Sequence, residues 1–250
     1  MTLFLIVLFT LLGSICSVGV SGLILLFKRN LLRSITGALI PYAIGTLLGA
    51  AFFGMIPEAL DKVSSTAALS TILVGLLFFY LLEKTMLWRH CHEQGEPCRV
   101  HSRAGAMILL GDALHNFVDG VAIAVAFTVS LPVGVTTALA IIAHEVPQEV
   151  GDFVILLESG YSRSRAFGYN LLSSAVSIPG AVGAYYLLPF VSAAVPYLLA
   201  MAAASFLYIA LADLVPGRRV AGGIRSLLWE VPLILTGLLT IIMVREVIGH

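Results

Sequence analysis

The sequence predicts an all-α integral membrane protein with eight transmembrane helices. Of its 250 residues, 59% are hydrophobic and only 11% are charged, which is too apolar for a soluble domain of this size. The apolar runs are long enough for helices of about 20 residues, and they lack the sustained alternation that a transmembrane barrel requires. We expect one transmembrane domain, 1–250, with spans at 3–27, 35–60, 67–88, 104–129, 132–158, 165–188, 192–215 and 226–248.

Lys and Arg are distributed unevenly between the two ends of the predicted spans. Twelve of the 14 basic residues follow the first, third, fifth and seventh spans, whereas Lys62 and Arg245 lie on the other side. Cytoplasmic loops are enriched in Lys and Arg, so we expect loop 89–103 in the cytoplasm and both termini outside it, in a bacterial inner membrane or another cell membrane. That loop holds three His and two Cys, and it is either a metal chelator or a solvated basic loop.

Two polar stripes interrupt the otherwise apolar fourth and fifth spans. The first stripe consists of Asp112, His115, Asn116 and Asp119. The second stripe consists of His144, Glu145, Gln148, Glu149 and Asp152. The spacing of three and four residues within each stripe places its members on one face of a helix. Ionisable groups in a membrane are costly unless they face protein, water or an ion, and imidazole, carboxylate and amide ligands suit a divalent first-row metal.

The short connection between the fourth and fifth spans, around Leu131, makes these spans antiparallel neighbours. At about 1.5 Å per residue, Asp119 lies about 18 Å from Leu131 and His144 about 20 Å. By the same count, Asp112 and Glu149 both lie near 28 Å. The two stripes are therefore level with each other, which predicts a shared cation site.

Acidic residues extend from this site toward both faces of the membrane. Asp112, Glu149 and Asp152 continue the stripes toward the expected cytoplasmic side, and Glu58 lies near the outer end of the second span. We expect these four carboxylates to line the path of the ion. For Glu58, an ordinary interfacial charge near a helix end is the alternative.

The two stripes resemble the paired metal motifs of the ZIP family of divalent metal transporters. The HNFVDG of the fourth span is similar to the family's His-Asn-x-x-Asp-Gly, and the HEVPQE of the fifth span is similar to its His-Glu-x-Pro subfamily. The resemblance implies eight helices in a 3+2+3 arrangement, a binuclear centre between helices 4 and 5, and a homodimer. It also implies that Zn²⁺, with Cd²⁺, Fe²⁺ or Mn²⁺ as further candidates, enters the cytoplasm as transported substrate, without a cofactor.

The resemblance assigns roles to individual positions of this chain. The positions that match ligands of the family's main site are His115, Asp119, His144 and Gln148. The positions that match its adjacent second site are Asn116 and Glu145. This chain departs from the pattern at Gln148, where the subfamily usually has histidine, and at Ala50 and Gly54, where many relatives have Asp and His.

Two other functions compete with metal transport. His144-Glu145 begins like the His-Glu-x-x-His signature of a zinc metalloprotease acting within the membrane, but Gln148 occupies the position of the second histidine. The stripes could instead serve only as hydrogen-bonding contacts between helices, as single buried polar residues often do. Nine polar residues at matching depth argue against that reading. There is no phosphate-binding glycine loop and no nucleic-acid footprint in the sequence.

Overall fold

A computed structural model describes residues 1–26, 29–92, 103–214 and 224–249. Within these ranges the regular structure is entirely helical. The α-helices, in chain order, are α1 (Thr2–Gly13), α2 (Ile15–Ile24), α3 (Arg29–Gly49), α4 (Ile56–Leu60), α5 (Ser65–His92), α6 (Arg103–Val129), α7 (Leu131–Glu158), α8 (Arg163–Ser174), α9 (Ser177–Leu187), α10 (Val195–Tyr208) and α11 (Ile224–Gly249). Helix α5 continues into the predicted loop 89–103, the rest of which lies outside the described residues apart from Arg103.

The all-α membrane architecture predicted from composition is confirmed. Among the described residues, seven helical segments are long and apolar enough to cross a membrane: Thr2–Ile24, Ser34–Leu60, Ser65–Leu82, Leu109–Val129, Arg163–Phe190, Ser192–Ala212 and Leu227–Gly249. Helix α7, with 28 residues, is also of spanning length. Its polar stripe lowers its hydropathy, because polar side chains stand where lipid contact would favour aliphatic residues.

Several spans are built from more than one helical segment. Helices α1 and α2 meet at Ser14. A π-helical turn, Ala50–Met55, joins α3 to α4, and a second one, Ile209–Leu214, follows α10. Each π-helical turn comes shortly before a proline in the sequence, Pro57 or Pro216, which cannot donate a backbone hydrogen bond. Such turns are frequent at functional sites, and the first one packs against α7.

Helices α6 and α7 occupy the centre of the helix packing. Helix α7 contacts α1, α2, α3, α6 and α11, while α6 packs mainly against α7 and α9. The buried core is rich in alanine, and this small side chain allows the helix backbones to approach closely. Close packing of this kind holds membrane helices together where lipid provides no hydrophobic driving force. The polar stripes of α6 and α7 are consequently enclosed by protein on most sides.

Gly120 on α6 makes a close backbone contact with α9. A Cβ atom at this position would lie 2.0 Å from the carbonyl oxygen of Ser177, and 2.9 Å from the amide nitrogen of Ala181, both on α9. Only glycine lets α6 and α9 pack at this distance. Because Gly120 directly follows Asp119, this contact also determines how far the first stripe stands from α9.

Candidate metal centre

The turn between α6 and α7 sets the alignment of the two polar stripes. Ser130 is extended, with φ −161° and ψ 157°, and its hydroxyl accepts a hydrogen bond from the amide of Val133 at 3.4 Å. Pro132 occupies the first turn of α7, where backbone N–H groups make no hydrogen bond within the helix, so its lack of an N–H costs nothing there. The chain therefore reverses within a few residues, and α6 and α7 run side by side in opposite directions.

Four side chains of the stripes converge into what we call the four-residue cluster. Its members are His115 and Asp119 of α6 and His144 and Glu145 of α7. One ligand atom of each lies within 4.8 Å of the others. The two Nε2 atoms of the histidines are 3.2 Å apart, and Nε2 of His144 lies 3.2 Å from Oδ2 of Asp119. Glu145 Oε1 lies 3.5 Å from Nε2 of His115 and 3.7 Å from Nε2 of His144.

The orientation of His144 explains why this arrangement favours a cation. Its Nδ1 donates to the carbonyl oxygen of Ala140 at 2.9 Å, so in a neutral imidazole the lone pair is on Nε2. That lone pair faces the carboxylate of Asp119 and the Nε2 atom of His115. A backbone carbonyl that fixes the tautomer of a histidine in this way is common beside bound metals.

The carboxylates of the cluster lack hydrogen-bond donors. Asp119 and Glu145 are both buried, and neither oxygen of either carboxylate has a hydrogen-bond partner. Leaving buried charged oxygens without donors is strongly unfavourable, and such groups are paired or coordinate a metal in native proteins. Two imidazole nitrogens and carboxylate oxygens around one point match the ligand set of zinc and of related divalent metals.

Gln148 and Asn116 contact Asp112 of α6. The Asn116 amide donates to Oδ1 of Asp112 at 2.9 Å and to its backbone carbonyl at 3.1 Å. The Gln148 amide, from α7, also donates to Oδ1 of Asp112, at 3.4 Å. The family resemblance assigns Gln148 to the main site and Glu145 to an adjacent one. In the structure Glu145 contacts both imidazoles, whereas Gln148 contacts the next acidic residue along the stripe.

The candidate pathway residues lie at both ends of the cluster. Glu149 is buried and accepts a hydrogen bond from the hydroxyl of Ser174 on α8, and Asp152 is partly buried. Glu58 lies on the side of the α6–α7 turn, where it forms an ion pair with Arg245 at 3.8 Å and lines a cavity of about 260 Å³ together with Ser130. Glu58 thus lies on the side of the α6–α7 turn, whereas Glu149 contacts α8.

One group of polar residues was not connected with the site by sequence reasoning. These residues are Asn170 and Ser174 of α8, neither of which the sequence analysis includes in the site. Asn170 does donate to a neighbouring helix, to the backbone carbonyl of Glu149 at 3.4 Å, but its Oδ1 is buried without a partner. The available signal was the spacing of Asn170 and Ser174, four residues apart on one face of α8.

Comparisons with known proteins identify relatives of this chain. The profile of the family described as ZIP Zinc transporter matches residues 88–244, more than half of the chain. Zinc transporter ZIP13 of Pongo abelii is 33% identical over 235 residues, covering 83% of this chain and 69% of that protein. The chain belongs to the ZIP family. Metal cation symporter ZIP14 of Mus musculus is 46% identical over 110 residues, covering 44% of this chain and 22% of that protein.

Some ZIP relatives are much longer than this chain. Zinc transporter ZIP10 of Danio rerio is 39% identical over 110 residues, 44% of this chain, and this chain spans 13% of its length. The matched region of this chain covers 17% of the length of Zinc transporter ZIP10 of Homo sapiens. Because the family is one of transporters and not of peptidases, membership argues against the metalloprotease alternative.

Proposed function

We propose that this ZIP-family chain carries divalent metal ions, zinc foremost, across the membrane through the four-residue cluster. The observation that carries this proposal is that two imidazoles converge between α6 and α7 with two carboxylates that accept no hydrogen bond. A charged group at membrane depth costs roughly 3 kcal/mol or more unless it faces an ion or another partner. The printed names of the relatives, zinc transporter and metal cation symporter, support the same cargo class.

The ligand chemistry accounts for binding of the ion. Two carboxylates, Asp119 and Glu145, balance the two positive charges of the cargo, so an occupied cluster with neutral imidazoles has no net charge. The Nε2 lone pairs of His115 and His144 replace water ligands that the ion must give up on leaving bulk solvent. Neutralisation and replacement of the hydration shell are the two requirements for holding a divalent ion inside a membrane.

The acidic residues on either side suggest the route of the ion. We infer that it enters from the side of Glu58 and leaves past Asp112, Glu149 and Asp152. The distribution of Lys and Arg supports a cytoplasmic exit, with both termini on the opposite side. Transport then requires the enclosed cluster to open alternately toward each face, because buried ligands cannot exchange an ion with solvent directly.

Zinc is the favoured cargo because imidazole nitrogens contribute half of the cluster. The same set accepts Cd²⁺ and Fe²⁺, whereas Mn²⁺, which prefers oxygen ligands, gains least from imidazole. We also propose the homodimer that the family resemblance implies. Light scattering from the purified protein in detergent, corrected for bound detergent, would refute this part if it gave the mass of one chain.

Zinc uptake into proteoliposomes tests the transport proposal. His115→Ala and Asp119→Ala each remove one ligand, so uptake should fall to the level of empty liposomes. The matched control is Asp61→Ala, which removes an exposed carboxylate after α4, and it should transport like the unaltered protein. Size-exclusion profiles of all three variants establish that they remain folded.

Retained uptake in His115→Ala and Asp119→Ala would refute the role of the cluster. Loss of uptake in Asp61→Ala as well would show that the assay responds to charge removal in general. The double substitution His115→Gln with Asp119→Asn separates the remaining alternative. It keeps hydrogen-bonding capacity but weakens metal ligation, so full activity in this variant would favour helix contacts over a metal site.

A further inference from the structure

We propose a second cation site, built only from oxygen ligands, in which Asp112 of α6, Glu149 of α7 and Asn170 of α8 bind a hard divalent cation such as Mn²⁺. It lies about one helical turn beyond the four-residue cluster, on the side away from the α6–α7 turn. The inference rests on the proposed function in one respect, since the site would be the next stop of the transported ion. Whether it binds a cation can be measured without transport.

Each of the three side chains presents one buried oxygen that has no partner. These atoms are Oδ2 of Asp112, Oε2 of Glu149 and Oδ1 of Asn170. The three residues are 4%, 0% and 0% exposed, so these oxygens lie in the protein interior. Buried polar atoms without a protein partner are rare in native proteins, and three on adjacent helices make this a place where a cation could bind.

The remaining polar atoms of the same side chains are held in place. Oδ1 of Asp112 accepts from the Asn116 amide at 2.9 Å, and Oε1 of Glu149 accepts from the hydroxyl of Ser174. The Asn170 amide nitrogen donates to the backbone carbonyl of Glu149 at 3.4 Å. Each free oxygen therefore belongs to a side chain that one polar contact already orients, as is usual for groups that support metal ligands.

Three helices bring these residues together. Helix α8 packs against both α6 and α7, and Asn170 and Ser174 contact Glu149 directly. Gln148, the residue before Glu149, contacts Asp112. Two buried carboxylates with an amide oxygen beside them form a site that a cation would neutralise.

The ligand set distinguishes this site from the four-residue cluster. Carboxylate and amide oxygens without nitrogen or sulfur favour hard cations such as Mn²⁺, whereas imidazole favours Zn²⁺. A zinc ion that reaches the oxygen site is held less tightly than in the cluster. The change of ligands would therefore help release of the ion toward the cytoplasm.

Manganese binding to the purified, metal-free protein tests this inference. Free Mn²⁺ has a strong paramagnetic resonance signal that decreases on binding, so the signal gives the number of bound ions and their affinity. Glu149→Gln and Asp112→Asn should each remove one bound Mn²⁺ per chain. Ser174→Ala, which removes only the hydroxyl that orients Glu149, should weaken that binding roughly tenfold.

Two controls make the result specific. His115→Ala, which disrupts the four-residue cluster, should retain the Mn²⁺ that Glu149→Gln loses. Glu58→Gln removes a carboxylate near the opposite face and should bind Mn²⁺ like the unaltered protein. Thermal melting of metal-free Glu149→Gln checks folding, and its Tm should not fall, because the substitution removes a buried charge while keeping the shape of the side chain.

Several outcomes would overturn the oxygen site. One such outcome is that Asp112→Asn and Glu149→Gln bind as much Mn²⁺ as the unaltered protein. Another is that none of the three proteins binds Mn²⁺, which would indicate that protons neutralise the carboxylates. Loss of the same Mn²⁺ in His115→Ala would assign it to the cluster. Zinc uptake by the unaltered protein, measured separately, would leave the proposed function standing in each case.

Discussion

Replacing Gly120 with alanine should disturb the metal centre through the backbone and not through a ligand. The added Cβ would lie 2.0 Å from the Ser177 carbonyl oxygen and 2.8 Å from its carbonyl carbon, both of which belong to the main chain of α9. Backbone atoms cannot rotate away as a flexible side chain can. Helices α6 and α9 must therefore separate by about 1 to 1.5 Å to restore ordinary van der Waals contact.

This separation has two measurable costs. Overpacking of a close contact destabilises a protein by about 1–3 kcal/mol, which for a chain of this length corresponds to a fall in Tm of roughly 2–12 °C. The backbone also moves next to Asp119, whereas binding sites need their ligands within about 0.5 Å of the productive position. Zinc affinity should consequently fall about tenfold or more.

Thermal melting and zinc titration of the detergent-purified protein measure both effects. Gly183→Ala is the matched control, because it places the same methyl group on α9 at a position where nothing lies within 4 Å of the new Cβ. The control should keep its Tm and its zinc affinity. If Gly120→Ala also kept both, the close packing of α6 on α9 and its influence on Asp119 would be refuted.

Three further predictions concern separate parts of the molecule. Gln148→His should tighten zinc binding roughly tenfold and lower the maximal transport rate, because a more tightly bound ion escapes more slowly. Unchanged zinc affinity and unchanged uptake would place Gln148 off the ion path. Single cysteines in loop 89–103, on a cysteine-free background, should react with an impermeant thiol reagent only after cells are opened, and labelling of intact cells would reverse the orientation. Ser21→Ala removes the hydroxyl that donates to the Val146 carbonyl at 3.0 Å, so it should lower the free energy of unfolding by about 0.6 kcal/mol. An unchanged Tm would show that this contact between α2 and α7 contributes nothing to stability.

The polar stripes illustrate how far sequence reasoning reaches. Their helical periodicity and the short connection after α6 are local properties, so the pairing of His115 and Asp119 with His144 could be predicted from spacing alone. The different contacts of Glu145 and Gln148 could not be predicted in this way. These residues lie three apart on α7, and which of them faces the imidazoles depends on a rotation of the helix that only packing against its neighbours sets.

The sequence by itself determined the membrane class, the helical architecture and the identity of the polar stripes, because hydropathy and periodicity act along a single segment. Tertiary structure alone decided what surrounds the stripes. Ser174 and Asn170 reach Glu149 from α8, and Gly120 touches the backbone of α9, through contacts between segments far apart in the chain. Such contacts leave no periodic trace in the sequence, since they depend on the distance and rotation between packed helices.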